Sequence, residues 1–190
     1  FENRDDTVVV DEPFYAHYLT MAGMEHPMRD EIINNYECNS ENIISYLTGQ
    51  IPVQKDIWYQ KHMAQHLSFE MDYSWIKALT NCFLIRNPKE VILSFQKQFP
   101  IKSIEQLGYN QLYKLFKFHV EYLGFIPPII DSRDVLENPE EILTTYRKQK
   151  SNKNFDLKKF FETYFYPAPT REVNYQSDTS KPVEDHIEKL

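Results

Sequence analysis

The chain has 190 residues, 42% of them hydrophobic and 26% charged, which fits one globular domain with its own core and excludes a disordered chain, a collagen-like repeat and a disulfide scaffold. The net charge of −7 excludes a protein-wide basic field for nucleic acid, so any anion site has to be local. No apolar run approaches the roughly 18 residues that a membrane span needs.

Short apolar runs alternate with helical patterns along the chain. The predicted strands are residues 7–10, 57–60, 82–85 and 128–130. The predicted helices are residues 14–22, 29–36, 41–48, 88–99, 109–123, 139–148 and 157–164, followed by an extended tail over 168–190. This alternation predicts a single α/β domain with a mostly parallel sheet flanked by helices. The runs lack clean polar alternation, which favours strands buried on both faces.

Cysteine and glycine usage adds two expectations. Cys38 and Cys82 lack CxxC spacing, and Cys82 opens an apolar run, which predicts a buried thiol and, as the simplest context, a reducing cytoplasmic compartment. The four glycines are single, and none belongs to a glycine-rich phosphate loop. The chain starts at Phe1 without a targeting segment, so we expect that a piece upstream is missing.

Every predicted strand runs into ionisable side chains. The first strand leads to Glu12, the second to Lys61 and His62, the third to Arg86 and the fourth to Asp131. Ligands of parallel α/β sheets bind beyond the carboxyl ends of the strands. These residues therefore indicate a site on one rim of the sheet.

The third strand end has the parts of an anion site. Asn87 can cap the helix that Pro88 begins, and that helix start offers free N–H groups to an anion. Arg86 adds a guanidinium suited to phosphate, and the hydroxyl of Ser94 lies about two turns along. The alternative interpretation is an ordinary strand-to-helix turn with a surface arginine.

The first and second strand ends carry candidate acid–base residues. His62 and His66 have the i,i+4 spacing of a metal pair, but no third ligand has suggestive spacing, so we expect no metal. His62 beside Lys61 suits proton transfer, or the two are a satisfied histidine and a solvated lysine. Glu12 can act as a base or pair with a nearby cation.

Residues 85–94 resemble the 3′-phosphate-binding motif of sulfotransferases that use 3′-phosphoadenosine 5′-phosphosulfate (PAPS). Residues 134–143 resemble a later segment of that family, and residues 11–19 together with 60–64 look like a bacterial branch of it. The resemblance covers residues 1–143. It implies a sulfotransferase fold similar to that of P-loop NTPases, with the family's phosphosulfate loop expected just before Phe1.

The resemblance also implies roles for particular residues. Arg86 and Ser94, with Asn87, would bind the 3′-phosphate of PAPS, and no metal would be needed. His62 would be the base that takes the proton of a small-molecule acceptor, with Glu12 as the runner-up, and Lys61 would stabilise the leaving oxygen. Lys61 adjoins His62, whereas cytosolic members place one residue between the two.

Two other functions stay open at this point. One is a non-catalytic relative that binds a nucleotide or a partner. The other is a nucleotide kinase of related fold, which would need a lysine-bearing glycine loop upstream and an acid for Mg²⁺, for which Asp131 is the candidate. The sequence does not specify the acceptor or the oligomeric state.

Overall fold

The computed structural model describes residues 4–23, 26–97 and 100–140. The chain divides into two compact units, the first formed by Phe1–Thr80 with Gly108–Leu112 and the second by Asn81–Leu107 with Tyr113–Leu190. Residues 141–148 of the helix predicted over 139–148 lie outside the described residues, as do the helix predicted over 157–164 and the tail over 168–190. The fold is the predicted mixed α/β class, with short parallel strands and helices.

The first unit is built on one parallel strand pair. Strand β1 is Thr7–Asp11, strand β2 is Ile57–Lys61, and Thr7 pairs with Ile57 at one end and Asp11 with Lys61 at the other. Three helices connect them: α1 (Tyr15–Ala22), α2 (Arg29–Asn35) and α3 (Ser40–Leu47). Short 3-10 helices follow at Pro52–Gln54, Ala64–His66 and Ser74–Ala78.

The core of this unit consists of apolar side chains from the helices and the loops after β2. Its most buried members are Phe14, Leu19 and Leu47, each about 1% exposed. Local backbone chemistry sets the ends of two helices of this unit. Gly23 ends α1 in the left-handed conformation at φ 57°, and the side chain of Asn39 caps α3 by accepting from the N–H groups of Glu41 and Asn42.

The second unit contains the other parallel pair, β3 (Phe83–Ile85) and β4 (Ile129–Asp131), with Ile85 opposite Asp131. Helix α4 is Pro88–Phe95, and α5 is Tyr109–Phe118, whose first turn belongs to the first unit. The helix continues as one π-helical turn, His119–Leu123, and α6 is Ser132–Glu137. Asp131 caps α6 by accepting a hydrogen bond of 2.8 Å from the N–H of Arg133.

Two expectations about burial are wrong. Among the described residues the strands form two two-stranded ladders. Leu84 at the centre of β3 is 59% exposed, so this strand is not buried on both faces. Cys82 is also exposed; it precedes β3 and alternates with the buried Phe83, as the exposed Leu84 does. An apolar run alone does not show which of its residues are buried and which are exposed.

Candidate functional site

Glu12, Asp11 and Lys61 meet where β1 and β2 end. Asp11 and Lys61 are register partners, and the Glu12 N–H donates to the Lys61 carbonyl at 2.9 Å. The Lys61 ammonium lies 3.0 Å from an oxygen of Asp11 and also donates a hydrogen bond to Glu12. Burial lowers the pKa of Lys61, but its hydrogen bonds to Glu12 and Asp11 outweigh that effect and leave the pKa raised. Lys61 is therefore a cation held between two carboxylates.

The backbone of Glu12 is strained. Its φ of 48° is left-handed, a region that non-glycine residues rarely adopt and that a following proline further disfavours. The carbonyl of Glu12 accepts a 2.9 Å hydrogen bond from the Tyr15 N–H, which holds the turn into α1. Strain of this kind costs on the order of 1–3 kcal/mol and clusters at functional sites.

Glu12 and Asp11 also line a cavity of about 660 Å³ in the first unit. Besides the end of β1, its walls come from α1, α2, α3 and the segment between α2 and α3. The lining residues are Val10, Asp11, Glu12, Pro13, Tyr15, Ala16, Ile32, Tyr36, Glu37, Asn42, Ile43 and Tyr46. A cavity of this size suits a small organic molecule.

His62 points to a different environment, a cluster of aromatic rings. Its ring centroid lies 5.9 Å from that of Phe14 and 5.7 Å from that of Trp75. Gln60 donates through Nε2 to the Leu47 carbonyl at 2.8 Å, so its Oε1 is the atom that accepts from His62 Nε2 at 3.3 Å. Nδ1 of His62 is buried and has no hydrogen-bond partner among the described residues.

His66 contacts a different pair of aromatic rings. Its ring stacks on Tyr18, with 4.8 Å between centroids, and lies 5.2 Å from Tyr15. Burial, with a further contribution from His66, lowers the pKa of His62 to about 4. Burial likewise lowers the pKa of His66 to about 4; the charge of Glu12 acts to raise this pKa, and the charge of Lys61 acts to lower it. Both imidazoles are neutral at pH 7, and His62 is a weak base that is not among the described residues lining the cavity.

The predicted anion-binding residues lie in the second unit, along and just before α4. The side chain of Asn87 caps the helix by accepting a 3.0 Å hydrogen bond from the Lys89 N–H. Arg86, which precedes this cap, donates to Glu90 at 3.2 Å, and Arg133 donates to the other oxygen of Glu90 at 3.3 Å. Ser94 is exposed near the end of α4, one turn beyond Glu90 on the same helix face.

The structure thus joins Glu12 with Lys61 in the first unit. In the second unit Arg86 and Asn87 stand just before α4, and Ser94 lies near the end of that helix. Sequence reasoning missed Glu37, Tyr36 and Tyr46, because helix packing alone brings them to the end of β1. It also assigned no role to Glu90 or Arg133. The i,i+4 spacing of Arg86 and Glu90 was a usable signal for the first of these.

The described residues contain neither a metal-binding group of side chains nor a membrane-spanning helix. Over residues 4–23, 26–97 and 100–140, no group of three His, Cys, Asp or Glu side chains is arranged to hold a metal ion. Over the same residues, no helix is both long and apolar enough to cross a membrane.

Comparison with known proteins shows a family match and similarity to curated proteins that include two from a plant. Residues 1–156 match the family model described as "Sulfotransferase domain". The branched-chain-amino-acid aminotransferase-like proteins 1 and 2 of Arabidopsis thaliana are 33% and 30% identical over 146 and 143 residues. Each match covers 75% of this chain but only 25% of the relative. No solved structure matches. Because the family model matches most of its length, the chain belongs to the sulfotransferase domain family.

Proposed function

We propose that the protein transfers a sulfuryl group from PAPS to a hydroxyl or amine of a small-molecule acceptor. The observation that carries this proposal, beside family membership, is Glu12: a carboxylate on a strained backbone that lines a cavity of about 660 Å³ and is hydrogen-bonded to Lys61. A base has to lie within hydrogen-bond reach of the proton it removes. Glu12 meets that requirement for a molecule in the cavity.

In the first unit, Glu12 would accept the proton of the acceptor as its oxygen or nitrogen attacks sulfur. Lys61 holds the Glu12 carboxylate in place and is the candidate cation for the leaving oxygen. His62 stays the second candidate for the base, but its pKa of about 4 and its place in the aromatic cluster favour Glu12.

In the second unit, the residues fit the 3′-phosphate of the donor. Arg86 and Arg133 converge on the two oxygens of a single carboxylate, which supports the idea that an oxyanion can be held between them. Ser94 would add a hydroxyl, and Asn87 would position the start of α4. The bound donor would supply the sulfuryl group and a phosphate leaving group.

Substitution of Glu12 tests the assignment of the base. In the full-length protein, Glu12→Gln should lower kcat with PAPS by about 10²–10⁴-fold, the usual contribution of a general base. Glu41→Gln changes a carboxylate that does not line the cavity, and it should leave kcat unchanged. Wild-type kcat in Glu12→Gln, with a large loss in His62→Asn instead, would transfer the role to His62.

A further inference from the structure

The cavity beside Glu12 has an excess of negative charge. Its described lining includes the carboxylates of Asp11, Glu12 and Glu37 and no basic side chain. Lys61 contacts Asp11 and Glu12, so one ammonium offsets only part of the charge of the three carboxylates. An anionic molecule entering the cavity would be repelled, and a cationic one would be attracted.

Glu37 carries the part of this charge that Lys61 does not contact in the described structure. It accepts a 2.7 Å hydrogen bond from the Asn39 N–H and a 3.0 Å hydrogen bond from the Asn42 side chain. These two hydrogen bonds lower the pKa of Glu37, so it is a carboxylate throughout the neutral range. They also fix its position at the start of α3, on the cavity wall.

Three tyrosines complete the polar and aromatic lining. Tyr46 is 55% exposed, yet its ring is held edge-on against Trp58 with centroids 4.9 Å apart. The Tyr15 hydroxyl is hydrogen-bonded to His26 at 2.9 Å, and Tyr36 adjoins Glu37 in the chain. Tyrosine rings beside carboxylates form the environment in which organic ammonium groups bind, through cation–π attraction and ion pairing.

We propose that the acceptor is a small organic cation, which carries an ammonium group apart from the hydroxyl or amine that reacts. The ammonium binds at Glu37 and the tyrosines, and the reacting group lies at Glu12. This inference rests on the proposed function. In the reaction the new bond joins the acceptor oxygen or nitrogen to sulfur, the bond from sulfur to the donor phosphate breaks, the acceptor proton passes to Glu12, and adenosine 3′,5′-bisphosphate leaves.

Three phenols of matched size and different charge test the inference. They are tyramine, 4-ethylphenol and 3-(4-hydroxyphenyl)propionate, which are cationic, neutral and anionic at pH 7. We expect the full-length protein to bind tyramine about tenfold more tightly than 4-ethylphenol, and the propionate more weakly still, by calorimetry without donor. Sulfuryl transfer from PAPS should follow the same order in kcat/KM.

The matched variants are Glu37→Gln and Glu41→Gln, which remove one exposed carboxylate each from the same segment. Glu37→Gln should weaken the binding of tyramine by about fivefold to tenfold and leave the affinity for 4-ethylphenol unchanged. Glu41→Gln should change neither affinity. Equal binding of the three phenols, or a Glu37→Gln variant with unchanged tyramine affinity, overturns the inference. Charge-ordered binding that depends on Glu37, without any transfer from PAPS, supports the cation site and refutes the proposed function. Sulfuryl transfer at rates that do not depend on acceptor charge supports the proposed function and refutes the cation site.

Discussion

Acidification should destabilise the first unit through the two buried imidazoles. His66 is 5% exposed, and the pKa values of His62 and His66 are both lowered to about 4 in the folded protein, from an ordinary value near 6.5. The unfolded chain therefore binds more protons than the folded protein between these values. Stability is present above about pH 6.5 and is lost as the pH falls towards 4.

The size of the effect follows from the shifts. A displacement from 6.5 to about 4 corresponds to roughly 2 kcal/mol for each imidazole between pH 7 and pH 5, hence about 4 kcal/mol for both. Asp6, whose pKa is lowered to about 2 by its hydrogen bond to Arg4, contributes only at lower pH. The interval from pH 7 to pH 5 thus reports on the buried histidines, and His119 of the second unit, whose pKa burial also lowers, adds to the change from His62 and His66.

The assay is urea unfolding of the full-length protein at pH 7, 6 and 5. The free energy of unfolding should fall by at least about 4 kcal/mol over this range, and His66→Gln should remove about 2 kcal/mol of that fall. Titration of the imidazole C–H resonances in the wild-type protein is an independent measurement that needs no variant. A pKa near 6.5 for His62 and His66, or a free energy of unfolding that does not change from pH 7 to pH 5, would refute the burial argument.

Three further outcomes follow from the structure. Asn39→Ala removes the acceptor for the N–H groups at the start of α3 and should cost about 1 kcal/mol in urea unfolding, whereas Asn34→Ala should cost less than half of that. Gly108→Ala would place a Cβ 2.9 Å from the Gln65 backbone nitrogen at a φ of 74°, so the melting temperature should drop; an unchanged value would contradict this contact. Glu90→Gln weakens the competitor for Arg86 and should tighten adenosine 3′,5′-bisphosphate binding about threefold by calorimetry; weaker binding would assign Glu90 a supporting role.

Local signals predicted much of the fold. Pro88 after Asn87 marked the start of α4, and left-handed glycines end α1 and the α5 extension, because these features depend on one or two residues of backbone chemistry. The positions of all four strands also follow the apolar runs. Helix α6, which begins at Ser132, was missed because Pro139 was the stronger start signal.

The site was predicted in part. The strand-end rule placed Glu12 beside Lys61, because register pairing in a parallel ladder is local and regular. The same rule also predicted His62 in the site, but its side chain lies in the aromatic cluster instead. The rule could not find Glu37, or the contact that Arg133 makes with Glu90, since both are set by the packing of elements distant in sequence.

The most direct test of the proposed activity is calorimetric titration of the full-length protein with adenosine 3′,5′-bisphosphate. The wild-type protein should bind this nucleotide, and Arg86→Ala should weaken it by at least about tenfold while leaving adenosine 5′-phosphate unaffected, because only the former carries the 3′-phosphate. Absence of binding, or an affinity that Arg86→Ala leaves unchanged, would contradict the assignment of a PAPS-dependent sulfotransferase.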